Sequence, residues 1–389
     1  MSGLSTPLTT EWSLLRAACS DLPIEDKARR IRERLHPQIQ WSALQSLADY
    51  HGVLPILAQA LLSVEGQVPT EAFTSIRQSY QLNLHKALFL SREFVRIVGC
   101  LSQAGIEFLP YKGLALAETV YGDIGLRQSG DIDLLIHAAD LRRVREAVAA
   151  IGYISHQALS PNEEEAYLRS GYECAFDGEA GRNLLEVQWG LQPRFYAVDL
   201  DVDELFRHAG TVTVAGVEIK ALSPEHLFVV LALHAAKHVW GKLIWLCDLA
   251  RVSQIATLDW KRIGDQAREL GIVRILRVTL LLVEKLLEGS APACARENLP
   301  DDLPAQSLAE EVQNCILSGK AFDIEAAAYF SLMLRLRERR TDRMRFLSRL
   351  VFTPGPGEWS VARFPRALFP LYRVVRIARL GARIVGGRI

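Results

Sequence analysis

Two aspartates one residue apart, Asp131 and Asp133, are the side chains whose type and spacing point most directly to chemistry. The apolar run Leu134-Leu135-Ile136 follows them and is typical of a buried strand, on which side chains two apart lie on the same face. Two acids on one face repel each other and are costly to bury unless a cation lies between them. Carboxylates combined with substrate phosphates are the usual ligands of Mg²⁺. The pair therefore predicts a magnesium site.

A basic turn precedes this acid pair. Lys112-Gly113 follows a predicted short strand over 106–109 and starts a predicted helix over 114–121. Glycine permits close approach of the backbone, and the free N–H groups of a helix N-terminus attract phosphate. Lys112 adds a point charge, and Arg127 adds a planar guanidinium that matches phosphate oxygens. The stretch therefore predicts that Lys112, Gly113 and Arg127 bind a nucleoside triphosphate.

The order of these motifs resembles the uncharacterised nucleotidyltransferase family of the DNA polymerase beta superfamily. The matching residues are Lys112-Gly113, Tyr121-Gly122-Asp123, Gly125-Leu126-Arg127 and Gly130-Asp131-Ile132-Asp133-Leu134-Leu135. The resemblance implies a third carboxylate on a later strand. Glu186, which lies between Leu185 and Val187, has the apolar neighbours that a strand acid should have. Gln188 stands where the family often has a histidine.

The resemblance implies Mg-dependent nucleotidyl transfer. Asp131 and Asp133 would hold two Mg²⁺ ions, and Glu186 would complete one metal site and help to deprotonate the acceptor. The nucleotide, with ATP as the leading candidate, would lie over Lys112-Gly113 with Arg127 nearby. An acceptor hydroxyl or phosphate would attack the α-phosphorus, and pyrophosphate would leave. The acceptor itself stays open between a small molecule, a sugar, a peptide, a tRNA and a protein.

Two other functional classes stay open at the level of the sequence. The first is a non-catalytic nucleotide-binding or scaffold protein of the same fold, although the presence of all three acids argues against it. The second is a toxin-like nucleotidyltransferase that modifies tRNA or protein. The basic character of the C-terminal segment is the only hint of that second class.

A predicted helix in the second half of the chain carries His234, Lys237 and His238. Histidines four residues apart lie on one helical face. Zinc is disfavoured because it usually takes three or four protein ligands, and no partner cluster is evident. The resembled family has a similar His-rich helix followed by Trp and Asp, matched here by Trp245 and Asp248. We predict that His234, Lys237 and His238 line the acceptor side of a cleft, with a structural hydrogen-bonding role as the alternative.

Charge is distributed unevenly along the chain. Lys and Arg together equal Asp and Glu, at 45 each. Residues 331–389, however, contain 14 Arg, no Lys and three acids, a net of +11, so residues 1–330 carry −11. We call residues 331–389 the arginine-rich tail. Such a basic amphipathic segment suits RNA, an anionic membrane surface, or an acidic patch of its own protein. The acidity of the remainder makes the intramolecular alternative a strong one.

Composition also predicts the compartment. Six cysteines are scattered without paired or metal-type spacing, which favours a reducing environment. The N-terminus has no basic stretch followed by an apolar run, and no segment reaches about 18 uninterrupted apolar residues. We therefore expect a cytoplasmic protein without a transmembrane segment.

Periodicity predicts an α+β fold, in which a small mixed β-sheet forms a nucleotidyltransferase core between helical regions. A strand over 172–176 should pair antiparallel with 182–189, and residues 211–220 should form a hairpin. At 389 residues and 49% hydrophobic content, the chain can build two or three cores. The predicted division is an N-terminal helical region (1–100), the core (101–222), a C-terminal helical lobe (223–330) and the arginine-rich tail (331–389).

Overall fold

A computed structural model of the chain describes residues 9–156, 161–300, 302–319, 326–354, 356–359, 364 and 366–385. Helices precede the first strand: α1 Thr10–Cys19, α2 Ile24–Arg34, α3 Trp41–Tyr50, α4 Leu54–Leu62 and α5 Thr70–Gln103. The strands are β1 Phe108–Pro110, β2 Asp131–Ile136, β3 Ile154–Ser155, β4 Glu173–Asp177, β5 Leu184–Gln188, β6 Gly210–Val214 and β7 Val217–Ala221. Helices α6 Gly113–Thr119, α7 Leu141–Ala150, α8 Pro161–Ser170 and α9 Val202–Arg207 lie between strands or next to them.

Five strands form one mixed sheet in the order β1-β2-β5-β4-β3. The β2 and β5 strands are parallel, whereas the β1/β2, β4/β5 and β3/β4 pairs are antiparallel. The β6 and β7 strands form the predicted hairpin as a separate two-stranded sheet. The mixed sheet among helices confirms the predicted α+β fold class.

Alternation along β2 explains how the sheet presents its acids. Ile132, Leu134 and Ile136 are buried in the sheet's own apolar core, which also contains Leu185 and Val187 of β5. Because successive side chains on a strand point to opposite faces, the acids of β2 and β5 share the other face. The parallel register then pairs one acid of β2 directly with the acid of β5.

Helices dominate the chain after the hairpin. They are α10 Pro224–Lys237, α11 Leu243–Ser253, α12 Trp260–Leu270, α13 Val273–Leu287, α14 Ala293–Asn298, α15 Leu303–Leu317, α16 Ala327–Arg335, α17 Arg340–Phe352, α18 Pro356–Trp359 and α19 Tyr372–Val385. The helices that precede the sheet in the chain and those that follow it share one apolar core. This core includes Leu14, Leu57, Trp240, Leu276 and Phe346. The predicted domain boundaries remain a prediction. Among the described residues, no helix is both long and apolar enough to cross a membrane.

Acids of the same chain pair with several arginines of the arginine-rich tail. Arg349 makes two contacts with Asp199, at 2.5 and 2.7 Å. Arg335 contacts Glu311 at 2.8 Å, and within the tail itself Glu358 pairs with Arg376 at 3.4 Å and with Arg379 at 2.7 Å. These contacts favour the intramolecular alternative for this basic segment.

Candidate functional site

Three carboxylates meet on one face of the sheet. Asp133 of β2 lies directly opposite Glu186 of β5, and Asp131 lies two residues earlier on the same side of β2. One carboxylate oxygen of each residue lies within 4.8 Å of the others. Asp133 is buried, and the other two are half-buried. All three line a cavity of about 300 Å³. The structure thus brings together the three acids that the sequence singled out.

The carboxylate cluster carries more negative charge than its surroundings compensate. Burial, with Asp133 as the next cause, raises the pKa of Glu186 to about 8. Burial and Asp133 also raise the pKa of Asp131. Both acids therefore hold protons more tightly than in water, because burial removes water from their charged forms and Asp133 repels them. A hard cation would supply counter-charge, and three carboxylates are the ligand type that Mg²⁺ prefers.

Lys112 is the nearest cation to this cluster. Its ammonium lies 2.6 Å from a carboxylate oxygen of Asp133, and both side chains are buried. Burial is the largest influence and would lower the pKa of Lys112, but Asp133, Tyr111 and Asp131 together outweigh it and raise that pKa. The lysine therefore stays charged inside the cavity.

Gly113 begins helix α6 immediately after this lysine. Its φ of +55° suits glycine, and a Cβ there would lie 3.3 Å from the backbone oxygen of Asp131. The glycine thus lets the turn approach the acid-bearing strand. Helix α6 is shorter than predicted, since it ends at Thr119.

Arg127 lines the cavity, but its guanidinium is directed to another partner. Nε and Nη2 donate to the two carboxylate oxygens of Asp248, at 2.9 and 2.8 Å, and Nη1 donates to Ser129 Oγ at 3.0 Å. The hydroxyl of Tyr121 donates to the same carboxylate at 2.7 Å. The predicted phosphate role of Arg127 remains a prediction. Its ion pair could not be predicted from local sequence, because the partners lie 121 residues apart.

Gln188 lies at the centre of the acidic face. The Tyr111 hydroxyl donates to its Oε1, so its amide nitrogen points toward acids. That nitrogen lies 3.5 Å from Asp133, 3.4 Å from Glu186 and 3.4 Å from Glu173. Sequence reasoning missed Glu173, which the antiparallel register of β4 places directly opposite Gln188. Glu173 lies on a strand that the sequence did predict, but its position opposite Gln188 depends on the register with β5, which no local signal in the sequence specifies.

The helical wall of the cavity includes His234, Lys237 and His238. Both imidazole rings lie 5.3 Å from the ring of Trp245. Burial lowers the pKa of His238 to about 3, with Lys237 as the next cause. Burial, followed by Lys112, also lowers the pKa of His234. Both rings are therefore neutral near pH 7, so they can exchange hydrogen bonds with a ligand but do not add positive charge.

Lys237 extends toward the other side of the cavity. Its ammonium donates to the Tyr172 hydroxyl at 3.2 Å and lies 4.7 Å from the centre of that ring. Burial lowers its pKa, and Glu173 is the largest opposing cause. The structure thus brings the three predicted helix residues to the same cavity as the carboxylates. Their role toward an acceptor remains a prediction.

Comparison with known proteins adds a family to this geometry. No curated protein and no solved structure matches the chain significantly. A family model described as "Uncharacterised nucleotidyltransferase" matches residues 37–288, which is more than half of the chain. The matched range contains the acid-bearing strands, the Lys112-Gly113 turn and the helix with the two histidines. The chain therefore belongs to this family of uncharacterised nucleotidyltransferases, whose general reaction is nucleotidyl transfer.

Proposed function

We propose that this protein transfers a nucleoside monophosphate from a nucleoside triphosphate to an acceptor in a reaction that depends on a divalent cation. The observation that carries the proposal is the cluster of Asp131, Asp133 and Glu186, whose oxygens lie within 4.8 Å of one another. The family match supports nucleotidyl transfer in general. The carboxylates, the lysines and the cavity support the finer steps.

The donor set fits Mg²⁺. Asp131, Asp133 and Glu186 would hold it, and Asp131 and Asp133 would serve both ions if two bind. When bound, the metal neutralises charge on phosphate oxygens and makes a coordinated hydroxyl more acidic. The raised pKa values of Asp131 and Glu186 support this assignment, because they indicate acids that lack counter-charge in the protein alone.

Lys112, Lys237 and Arg127 bring positive charge to the cavity lining. Lys112, at 2.6 Å from Asp133, is placed to contact triphosphate oxygens next to the metal ligands. Gly113 keeps the backbone close to the same strand. We expect ATP as the nucleotide. The neutral His234 and His238 would donate or accept hydrogen bonds at the opposite wall.

The reaction exchanges one phosphorus–oxygen bond for another. The acceptor oxygen forms a bond to the α-phosphorus, and the bond from that phosphorus to the bridging oxygen of pyrophosphate breaks. Glu186 is placed to accept the proton of an acceptor hydroxyl, and pyrophosphate leaves with the bonding electrons. Gln188 would hold Glu186 in position through its amide nitrogen, 3.4 Å away.

The acceptor is the least constrained part of the proposal. Asp199 and Glu311 already pair with tail arginines, so the tail gives no support for a tRNA acceptor over the others. The acceptor stays open between a small molecule, a sugar, a peptide, a tRNA and a protein. We expect the protein to act in the cytoplasm.

The proposal is tested by incubating the protein with each α-³²P-labelled nucleoside triphosphate and Mg²⁺, with and without cell extract. Wild-type protein should label an acceptor and release pyrophosphate, and EDTA should abolish both. Asp131→Asn, Asp133→Asn and Glu186→Gln should each abolish labelling while the fold is kept. The matched control is Asp177→Asn, on the same sheet but exposed. Turnover that survives in both aspartate variants would place the active site elsewhere, and nucleotide binding without any turnover would favour a non-catalytic protein.

A further inference from the structure

Arg127 and Asp248 form a buried ion pair between two walls of the carboxylate cavity. Their exposed fractions are 6% and 0%. Two hydrogen bonds of 2.9 and 2.8 Å join them, one to each carboxylate oxygen, so the contact is bidentate rather than a single point contact. This bidentate geometry constrains orientation as well as distance.

On one side, the ion pair anchors the connection between α6 and β2. This connection has no regular secondary structure. Its residues Gln128, Ser129 and Gly130 line the cavity, and Arg127 also donates to Ser129 Oγ at 3.0 Å. Asp131 follows directly. A shift of Arg127 would therefore move cavity-lining residues at the start of the acid-bearing strand.

On the other side, the ion pair anchors helix α11. Asp248 follows Ile244 by four residues and Trp245 by three, which is the spacing of neighbours on one helical face. Ile244 and Trp245 both line the cavity. The carboxylate is held further by the Tyr121 hydroxyl at 2.7 Å. The helix wall and the loop wall are thus tied together at one carboxylate.

We propose that Arg127 and Asp248 are positioning residues, which hold the 127–130 loop against α11 so that the cavity keeps the shape that the nucleotide requires. The inference rests on the proposed function. A buried ion pair often adds little stability compared with apolar residues of similar size, so stability alone is a weak reason for its presence. Displacement of a substrate by about 1 Å can reduce the rate by roughly 100-fold. Residues that keep the cavity in shape can therefore matter greatly for turnover.

The test uses the full chain with Arg127→Lys, Asp248→Asn and the double variant Arg127→Met with Asp248→Leu. Arg127→Lys keeps the charge but loses the planar fork. We expect the KM for the nucleotide to rise about tenfold or more in both single variants, and kcat to fall less. The double variant should have a melting temperature closer to that of wild type than either single variant, because no unpaired charge is left. Its KM should stay raised.

Arg274→Lys is the matched control. Arg274 contacts Asp302 at 2.8 Å in the C-terminal helices and does not line the carboxylate cavity. The Arg274→Lys variant should have a lower melting temperature than wild type and an unchanged KM for the nucleotide. If Arg127→Lys and the double variant both bind and turn over nucleotide like wild type, the positioning role is wrong.

Hydrogen exchange separates this inference from the proposed function. The amides of residues 120–130 should exchange several-fold faster in Arg127→Lys and in the double variant, whereas those of α13 should not change. This readout needs no nucleotide. A wild-type protein that binds no nucleotide would contradict the proposed function, while unchanged exchange in residues 120–130 would contradict the positioning role.

Discussion

The carboxylate cavity and the arginine-rich tail both concentrate charge, but they place it differently. In the cavity, Lys112 and Asp133 are buried side by side. In the tail, Arg349 reaches an exposed Asp199 across the surface. Buried charges interact strongly with their partners and are costly to leave alone, whereas exposed pairs are weakened by water and salt. The two regions should therefore respond very differently to the loss of one partner.

The difference also teaches what each kind of charge is for. A protein that needed only stability would fill the cavity with apolar side chains, which are often no worse than a buried ion pair. Instead, Glu186 and Asp131 have raised pKa values, which means that they destabilise the metal-free protein at neutral pH. Such an arrangement is typical of a functional site. The charged side chains of the tail, by contrast, attach one segment of the chain to another.

The largest expected effect is the loss of Lys112. Lys112→Met leaves Asp133 buried without its cation and should lower the free energy of unfolding by roughly 3–5 kcal/mol. Urea denaturation measures the change. The matched control is Lys261→Met, whose pair with Asp265 is exposed and weakened by water, so its loss should change the free energy of unfolding far less. Equal losses in the two variants would remove the distinction between the two kinds of charge.

Sequence reasoning reached the acids because their evidence is local. Asp131 and Asp133 lie two residues apart on one predicted strand, so alternation alone places them on one face. Glu186 was predicted from the family resemblance, which implies a third carboxylate on a later strand. Arg127 shows the limit. Its planar guanidinium suggested phosphate binding, but its partner Asp248 lies on a helix 121 residues later. No local pattern encodes a contact between a loop and a distant helix.

Register was the other quantity that the sequence left open. The antiparallel pairing of β4 with β5 was predictable, but placing Glu173 opposite Gln188 requires the alignment of the two strands. A shift by one residue would turn every side chain of β4 to the other face. The fourth acid of the cavity therefore became visible only in the structure.

The next largest expected effect depends on pH, and it is a gain of stability rather than a loss. Glu186 has a pKa of about 8 in the folded protein and 4.5 as its ordinary value. Between these values the folded state binds more protons than the unfolded state, so this group lowers stability as pH rises from about 4.5 to about 8. Glu186→Gln should therefore raise the melting temperature of the metal-free protein at pH 8.5, by roughly 2–5 °C, and change it little near pH 4.5.

Glu288 provides a control of opposite sign for this prediction. Hydrogen bonds and ion pairs with arginines, Arg34 foremost, lower its pKa despite the opposing effect of burial. Its contribution is present above pH 4.5 and is lost as pH falls through its lowered value. Glu288→Gln should therefore lower the melting temperature at pH 8.5. If Glu186→Gln also lowered the melting temperature at pH 8.5, the charged form of Glu186 would not destabilise the metal-free protein.

A smaller effect is expected at the histidine wall. His238→Ala removes one neutral ring that faces the cavity, and the loss of one hydrogen bond of about 1.4 kcal/mol corresponds to a tenfold lower kcat/KM. The melting temperature should change little. The exposed His208→Ala serves as the control and should change neither quantity. A drop of several degrees in His238→Ala, with turnover per folded molecule unchanged, would show that the helix residue is structural.

The smallest effect is expected in the arginine-rich tail. Arg349 makes a two-point contact with Asp199, at 2.5 and 2.7 Å, but Asp199 is exposed and water weakens the attraction. Arg349→Ala should lower the free energy of unfolding by at most about 1 kcal/mol, and the difference should shrink further in 1 M NaCl, where salt shortens the screening length to about 3 Å and weakens attraction between exposed charges. Asp199→Ala should cause a similar loss, and the double variant should cost little more than either single change, because both remove the same contact. Additive losses would mean that the two side chains contribute to stability separately. A loss as large as that of Lys112→Met would mean that the tail's ion pairs are as strong as the buried pair of the cavity.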